Sequence, residues 1–310
     1  MPGAEAGARR PTASERRRMY RDLALSLRCG LRDAAAGLSF LRLRGLRALL
    51  RALRSADADL GLFRDSQAIR DLQVVPVLFE HSLRKASGGD AVVTVAQVLG
   101  MEPAAARLRN PATDSEVVLA LRVLQGCCLL CQPCAAAAHR YNAVKECSQY
   151  MEYWSYSWCE LEMNSGTSSP YVGRTHQVVL DILMTRGILE QRACLDTLLA
   201  LLVDCSENQM DFKEQYGLNK IADIVKDSDR DDHVRLKCSE FLLLYSGNAK
   251  ENCGVAFKSN IQEDLKKLFG EKCASFICSM NLFSSALDSQ VRQSELSFLA
   301  KQVLDYMQPY

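Results

Sequence analysis

The chain has 310 residues, of which 48% are hydrophobic and 24% charged, a composition that excludes disorder over most of its length. Its net charge of +1 hides an asymmetry, since residues 1–54 hold 13 arginines against four carboxylates, a net +9, and the remainder carries −8. The sequence therefore predicts a basic N-terminal region on an acidic folded body. Residues 1–15 are expected to be disordered.

Cysteine use and hydropathy indicate the compartment. The longest stretch without a charge, Val123 to Ala138, contains two glutamines and is too short and too polar to cross a bilayer, so no transmembrane segment is expected. The 13 cysteines are an odd number, lie beside aliphatic residues and follow no apolar signal-peptide core. These features favour free thiols and predict a cytoplasmic protein. A nuclear or organellar location stays open because an arginine-rich N-terminus is also typical of transit peptides.

Apolar residues recur at spacings of three and four along the chain, and this period predicts an all-α protein. The predicted helices span residues 16–31, 38–53, 66–85, 115–130, 141–162, 174–184, 190–203, 218–226, 231–245, 261–269 and 289–307. Stretches rich in Gly, Pro, Ser and Asn predict a loop insertion at about 84–112 and a linker loop at about 163–173. Residues 16–310 are otherwise expected to form one helical domain.

An internal repeat indicates the architecture. A short helix, GLNKIADIVKD, is followed by an acidic turn and a longer helix, HVRLKCSEFLLLYS. A similar apolar spacing occurs earlier, where Leu72, Val75 and Leu78 match Leu218, Ile221 and Ile224, and Asp114, Val117 and Leu119 match Asp231, Val234 and Leu236. Units of this kind bury their apolar faces on their neighbours, so we predict an armadillo-like helical repeat, an α-solenoid. An irregular helical bundle stays open as the alternative.

Four cysteines lie within eight residues in CCLLCQPC, from Cys127 to Cys134. A zinc or iron–sulfur site would need a further pair of ligands. The nearest candidates, His139 and Cys147, belong to no second CxxC or HxxxH pair. The sequence therefore predicts no metal and no cofactor, although a metal-binding or redox protein built on this cluster stays open as an alternative.

Helical periodicity gives the cluster a structural interpretation. Cys128 and Cys131 continue the three-and-four spacing of Val117, Leu121 and Leu124, as expected of a helix that faces a core. Pro133 is then expected to end the helix and to leave Cys134 near its edge. We interpret the four thiols as core packing.

Catalytic motifs do not occur in the sequence. There is no glycine-rich phosphate loop, G-x-S-x-G, H-E-x-x-H or kinase signature, and the four histidines are scattered. We therefore predict that the protein is not an enzyme, has no small-molecule substrate and acts by binding.

The stretch ECSQYMEYWSYSWCELEM, residues 146–163, contains both tryptophans of the chain. On a helix, Trp154 and Trp158 share one face, whereas Tyr153 and Tyr156 lie on another and are harder to bury. Exposed aromatic side chains anchor protein interfaces, which makes Tyr153 and Tyr156 candidate partner-binding residues. No Lys or Arg is interleaved among these aromatics, which disfavours nucleic acid as the partner.

The segment CLDTLLALLVDCSENQMDFKEQYGLNKIADIVKDSDRDDHVRLKCSEFLLLYS resembles the septation-initiation-network family of cell division control protein fourteen, the helical kinase-binding protein and not the phosphatase of the same name. KECSQYMEYW supports the resemblance more weakly. The resemblance implies an armadillo-like, non-catalytic scaffold that binds a germinal-centre-type protein kinase in cell-division signalling.

Periodicity adds a second set of candidate partner-binding residues. Helical solenoids usually dock partners on a concave row of long helices. On the predicted helix 231–245, Arg235, Lys237 and Glu240 are the polar candidates for that surface. A different hypothesis, a nucleic-acid or membrane adaptor that uses the basic N-terminus, also stays open.

Overall fold

The structure is a computed structural model. It describes residues 12–56, 60–83, 112–144, 179–203, 205–252, 255–279 and 289–307. These segments are helices and short connections with no β-strand among them, which confirms the all-α class. The predicted linker at 163–173 lies outside the described residues, as does the predicted insertion at 84–112 except for Ala112.

Two basic helices open the described chain. Helix α1 spans Ala13–Ala34 and α2 spans Ser39–Ala56. Thr12 begins α1 in a capping box with Glu15, so the helix starts three residues before the predicted position 16. A methyl group on Gly45 would lie 2.3 Å from the backbone nitrogen of Ala34, because the backbones of α1 and α2 touch at this point.

The region from 60 to 83 is broken where a single helix, 66–85, was predicted. Helix α3 spans Leu60–Gln67, a 3-10 turn spans Arg70–Leu72, and α4 spans Val74–Val77 and continues into a π-helical turn at Leu78–Ser82. Ile69 and Gln73 are extended, so the prediction of one continuous helix is wrong.

Two helices meet at the cysteine cluster. Helix α5 spans Asp114–Leu130 and α6 spans Gln132–Arg140, with Cys131 in an extended conformation between them. Pro133 was expected to end the helix and instead lies in the first turn of the next one, where its missing N–H costs nothing. Helix α6 was not predicted.

The C-terminal half is a succession of helices with short connections. They are α7 Val179–Thr185, α8 Ile188–Leu202, α9 Ser206–Glu214, α10 Gly217–Lys226, α11 Asp232–Asn252, α12 Val255–Ser279 and α13 Ser289–Met307. Helix α12 is interrupted at Gly270, whose φ of +80° favours glycine. Helix α9 was not predicted, whereas α10 and α13 match their predicted bounds within one residue.

The long helices pack in chain order around a continuous apolar core. Helix α2 contacts both α1 and α5, α5 contacts α8, α8 contacts α11, and α11 contacts α13. Helices α9, α10 and α12 pack beside this row. Among the helices described, none is long and apolar enough to span a membrane.

Candidate functional site

The four clustered thiols lie in the core, as predicted. Cys127, Cys128, Cys131 and Cys134 are all buried, and Cys134 lies in the first turn of α6 rather than at the end of α5. Within the described ranges, no three His, Cys, Asp or Glu side chains are arranged to hold a metal ion. The cluster therefore contributes to the packing between α5, α6 and their neighbours.

The thiols of this cluster differ in acidity. Burial raises the pKa of Cys127 and of Cys128. Interaction with the thiol of Cys134 lowers the pKa of Cys131 to about 7 and raises that of Cys134, and the positive charge of Arg64 acts on Cys131 in the same direction. Cys131 is only 1% exposed, which keeps this acidic thiol away from solvent.

The predicted polar residues of α11 make contacts inside the protein. Lys237 Nζ lies 2.8 Å from Asp196 Oδ1 on α8 and 3.0 Å from Glu240 Oε2. Burial opposes the charge of Lys237, but the two carboxylates raise its pKa above the ordinary value. Arg235 Nε donates to the carbonyl oxygen of Val225 at 3.1 Å.

The residues of α11 that were predicted to bind a partner are mostly buried. Glu240 is 5% exposed, and the side chains of Lys237 and Arg235 are 19% and 14% exposed. Their charged groups join α11 to its neighbours, so their part in partner binding stays a prediction. Tyr153 and Tyr156 lie outside the described residues.

A groove that opens to solvent lies beside α11. The groove has a volume of about 260 Å³ and is enclosed by the α9–α10 turn, α11 and α12. Its apolar floor consists of Phe212, Tyr245 and Ile261, which are almost fully buried. The ring of Tyr245 meets Phe212 edge-on at 5.6 Å and stacks on Phe241 at 5.6 Å, so the floor is a fixed aromatic cluster.

One tyrosine stands at the rim of the groove in an unusual backbone conformation. Tyr216 has φ +54° and ψ +39°, the left-handed region that non-glycine residues rarely adopt, and it is 70% exposed. A methyl group on the following Gly217 would lie 2.0 Å from the ring of Phe212, so only glycine fits there. The turn holds an aromatic side chain in solvent at a conformational cost, and such strain is concentrated at functional sites.

Charged side chains complete the rim. Lys213 of α9 and Lys267 of α12 line the groove and are exposed, and Asp264, also in the lining, is half-buried. A cavity of this volume holds one or two apolar side chains and is smaller than the usual pocket for a whole cofactor. The arrangement is suited to binding an apolar anchor of a peptide, with polar contacts at the rim.

Sequence reasoning did not identify this groove. Its lining comes from the α9–α10 turn and the residues beside it, from Tyr245 of α11 and from the first half of α12, so the fold brings it together from four helices. The one local signal was the pair Tyr216-Gly217 at the start of a short helix, where an αL residue is followed by a glycine. Exposure of that tyrosine could not be derived from helical periodicity.

The groove lies within the part of the chain that resembles a known family. Residues 174–292 match the family described as Cell division control protein 14, SIN component. The resemblance predicted from sequence is therefore confirmed over these residues. The family that they match is one of cell division and septation. No curated protein and no solved structure matches the chain.

Proposed function

Because residues 174–292 match a septation-initiation-network component, we propose that the protein is a cytoplasmic, non-catalytic scaffold of cell-division signalling that holds a protein partner. The observation that carries the proposal is the groove beside Tyr216, an apolar cleft inside the matched region with an aromatic floor and one exposed tyrosine at its rim. Exposed aromatic anchors beside a fixed apolar floor are typical of protein-binding hot spots.

The architecture supports this role. Helices α2, α5, α8, α11 and α13 contact one another in chain order, which is the packing expected of an armadillo-like repeat. Both long helices of the repeat match begin close to their aligned acidic residues, α5 at Asp114 and α11 at Asp232, directly after Asp231. A row of this kind presents its surfaces to a partner without needing a catalytic residue.

The partner we propose is a germinal-centre-type protein kinase, which is what the family resemblance implies. The kinase would supply an apolar side chain to the floor formed by Phe212 and Tyr245, and acidic groups to Lys213 and Lys267. Lys237, with Glu240 beside it, would fix α11, which contributes Tyr245 to the groove, against α8, and Arg235 would fix it against α10.

The test is quantitative affinity purification of the tagged full-length protein from its own cells, with mass spectrometry of the bound proteins. We expect a kinase in stoichiometric amount with the wild type and at least about ten-fold less with Tyr216→Asn, since hot-spot aromatics contribute 2 kcal/mol or more. Asparagine tolerates the left-handed conformation, so this substitution removes the ring and keeps the turn.

Tyr306→Asn is the matched control. Tyr306 is 56% exposed and lies against Phe276 on the α12–α13 side, away from the groove. It should leave recovery of the kinase unchanged. Full recovery with Tyr216→Asn would exclude the groove as the docking site, and the absence of any stoichiometric protein partner with the wild type would refute the scaffold proposal itself.

A further inference from the structure

A strongly basic surface covers the two N-terminal helices, which contribute no residue to the groove. Ten arginines of α1 and α2 are exposed: Arg16, Arg17, Arg18, Arg21, Arg28, Arg32, Arg44, Arg47, Arg51 and Arg54. The same two helices contain three carboxylates, Glu15, Asp22 and Asp33. The surface therefore carries a large excess of positive charge, while residues 55–310 carry −8.

On α2 the arginines form a single stripe. Arg44, Arg47, Arg51 and Arg54 follow at spacings of three and four, so they share one helix face. The core side of the same helix is formed by Leu46, Leu49 and Leu53, which lie on the opposite face and are buried. The stripe consequently projects away from the core and is not needed to fold the helix.

The α1–α2 connection adds apolar groups to this basic surface. Leu38 is 51% exposed and Phe40 is 64% exposed, and Phe40 precedes Arg44 by one helical turn. Arg44 Nε donates to Asp33 Oδ2 at 2.8 Å, which brings the start of the stripe against the end of α1. Arg32, at that end of α1, is also exposed.

We propose that this basic face, formed by Arg32, Leu38, Phe40 and the α2 arginine stripe, binds a membrane surface rich in anionic phospholipid. Guanidinium groups bind phosphate and carboxylate groups of lipid headgroups, and apolar side chains beside them enter the interfacial layer. The negative charge of the remaining chain orients the protein with this face towards the lipid.

The exposed apolar side chains favour lipid over nucleic acid as the ligand of the basic face. Leu38 and Phe40 find favourable surroundings among acyl chains, whereas binding of single-stranded nucleic acid requires several aromatic platforms along a basic groove. Within the described α1 and α2, Phe40 is the only exposed aromatic residue. The proposal does not depend on the partner docked in the groove, because the two surfaces share no residue.

Co-sedimentation of the full-length protein with phospholipid vesicles tests the proposal. We expect binding to vesicles with about 30 mol% phosphatidylserine, little binding to pure phosphatidylcholine, and a steep loss between roughly 0.1 and 0.5 M NaCl as charges are screened. One arginine near an anionic lipid surface is worth about a five-fold change in affinity. The triple variant Arg47→Glu/Arg51→Glu/Arg54→Glu should therefore bind at least roughly 100-fold more weakly.

Two further variants separate lipid binding from net charge. Phe40→Ser leaves the charge unchanged and should weaken vesicle binding by about ten-fold, because it removes the interfacial side chain. Arg140→Glu/Lys272→Glu/Lys301→Glu makes the same change in net charge at three exposed positions on other helices and should retain most of the binding. Circular dichroism confirms that each variant is folded.

Three results would overturn the proposal. They are no binding of the wild type to anionic vesicles, equal losses in the two triple variants, and tighter binding to a short nucleic-acid duplex than to anionic vesicles at the same salt. The last result would assign the basic face to nucleic acid.

Discussion

Arg42 and Glu116 form a buried ion pair between α2 and α5. Arg42 Nε donates to Glu116 Oε2 at 2.6 Å, and the two side chains are 3% and 0% exposed. The remaining groups are also bonded, since Arg42 Nη1 donates to the carbonyl oxygen of Gly37 at 2.7 Å and the hydroxyl of Ser39 donates to Glu116. Such a network is favourable only while every member has its partner.

Substitution of Glu116 by Gln tests how much this pair contributes. The change leaves the Arg42 guanidinium buried without its counter-charge, so we expect the free energy of unfolding to fall by about 3 kcal/mol. The control is Asp114→Asn, which breaks the pair with Arg186 at the same 2.6 Å separation but at a side chain that is 75% exposed. Exposed pairs contribute at most about 1 kcal/mol, and equal effects in urea unfolding would contradict this account.

At the scale of the element, the break between α3 and α4 shows how one side chain can replace a helical turn. Gln67 Nε2 donates to the carbonyl oxygen of Leu72 at 3.0 Å, and Gln67 Oε1 accepts from the backbone N–H of Val74 at 3.0 Å. Pro76 favours the break, because in a continuous helix its ring would clash with the carbonyl group of Leu72. Gln67 thus satisfies backbone groups that the interrupted helix leaves free.

Gln67→Ala should remove both of these hydrogen bonds and lower the free energy of unfolding by about 2 kcal/mol. Gln67→Glu keeps an acceptor for the Val74 N–H and loses the amide donor to the carbonyl oxygen of Leu72 and to the hydroxyl of Ser66. Native-state hydrogen exchange provides the local readout: protection of the Val74 amide should drop in the alanine variant and persist in the glutamate variant. Equal protection in the two variants would show that Gln67 does not hold the break.

The same comparison shows which features the sequence could predict. Helices α5, α10 and α13 were predicted nearly residue for residue, because a long apolar stripe with period 3.6 is a local property. Helices α6 and α9 have nine residues each and were missed. The extended residue Cys131 between α5 and α6 interrupts a pattern that continues on both sides. Breaks of this kind depend on how a helix packs against helices that are distant in the sequence. The spacing of apolar residues along one helix carries no information about that packing.

The candidate site depends on contacts between helices, so periodicity predicts less of it than of the fold. Periodicity placed Arg235, Lys237 and Glu240 away from the apolar stripe of α11, and polar residues there were expected to meet solvent. Lys237 instead meets Asp196 of α8 and Glu240 of its own helix, and Arg235 meets the end of α10, because α11 is surrounded by several neighbours. The groove, in turn, is formed by residues from four helices and has no sequence signature of its own beyond Tyr216-Gly217.

At the scale of the whole molecule, a polar contact accompanies apolar packing at successive steps of the helical row. Arg42 joins α2 to Glu116 of α5, and Lys237 joins α11 to Asp196 of α8. Thr197 Oγ1 of α8 shares its proton between the carbonyl oxygen of Ala193 in its own helix, at 2.8 Å, and that of Leu121 in α5, at 3.0 Å. Apolar packing alone tolerates sliding of one helix along another, whereas these contacts require one alignment. The row is therefore held in a single register.

The core as a whole also contains many thiols, and this gives stability a pH dependence. Burial raises the pKa of Cys127 and Cys194, that of Cys238 to about 12 and that of Cys273 to about 11, above an ordinary value of 9.0. In the unfolded chain these thiols ionise near pH 9, whereas in the folded protein they stay protonated. Their contribution to stability is therefore complete below pH 9 and is lost as pH rises towards 11–12.

We expect the free energy of unfolding, measured in reductant, to fall steadily from pH 9 upwards, with each such thiol adding at most about 1.4 kcal/mol per pH unit to the slope. Cys238→Ala removes one of these thiols at a fully buried position, so the free energy of unfolding should fall less steeply with pH. The small cavity that it leaves lowers the free energy of unfolding by the same amount at every pH. Cys29→Ala changes an exposed cysteine and serves as the control. Because lysines and tyrosines also titrate in this range, the difference between the two variants is the informative quantity. Parallel pH profiles would show that the buried thiols do not govern alkaline unfolding.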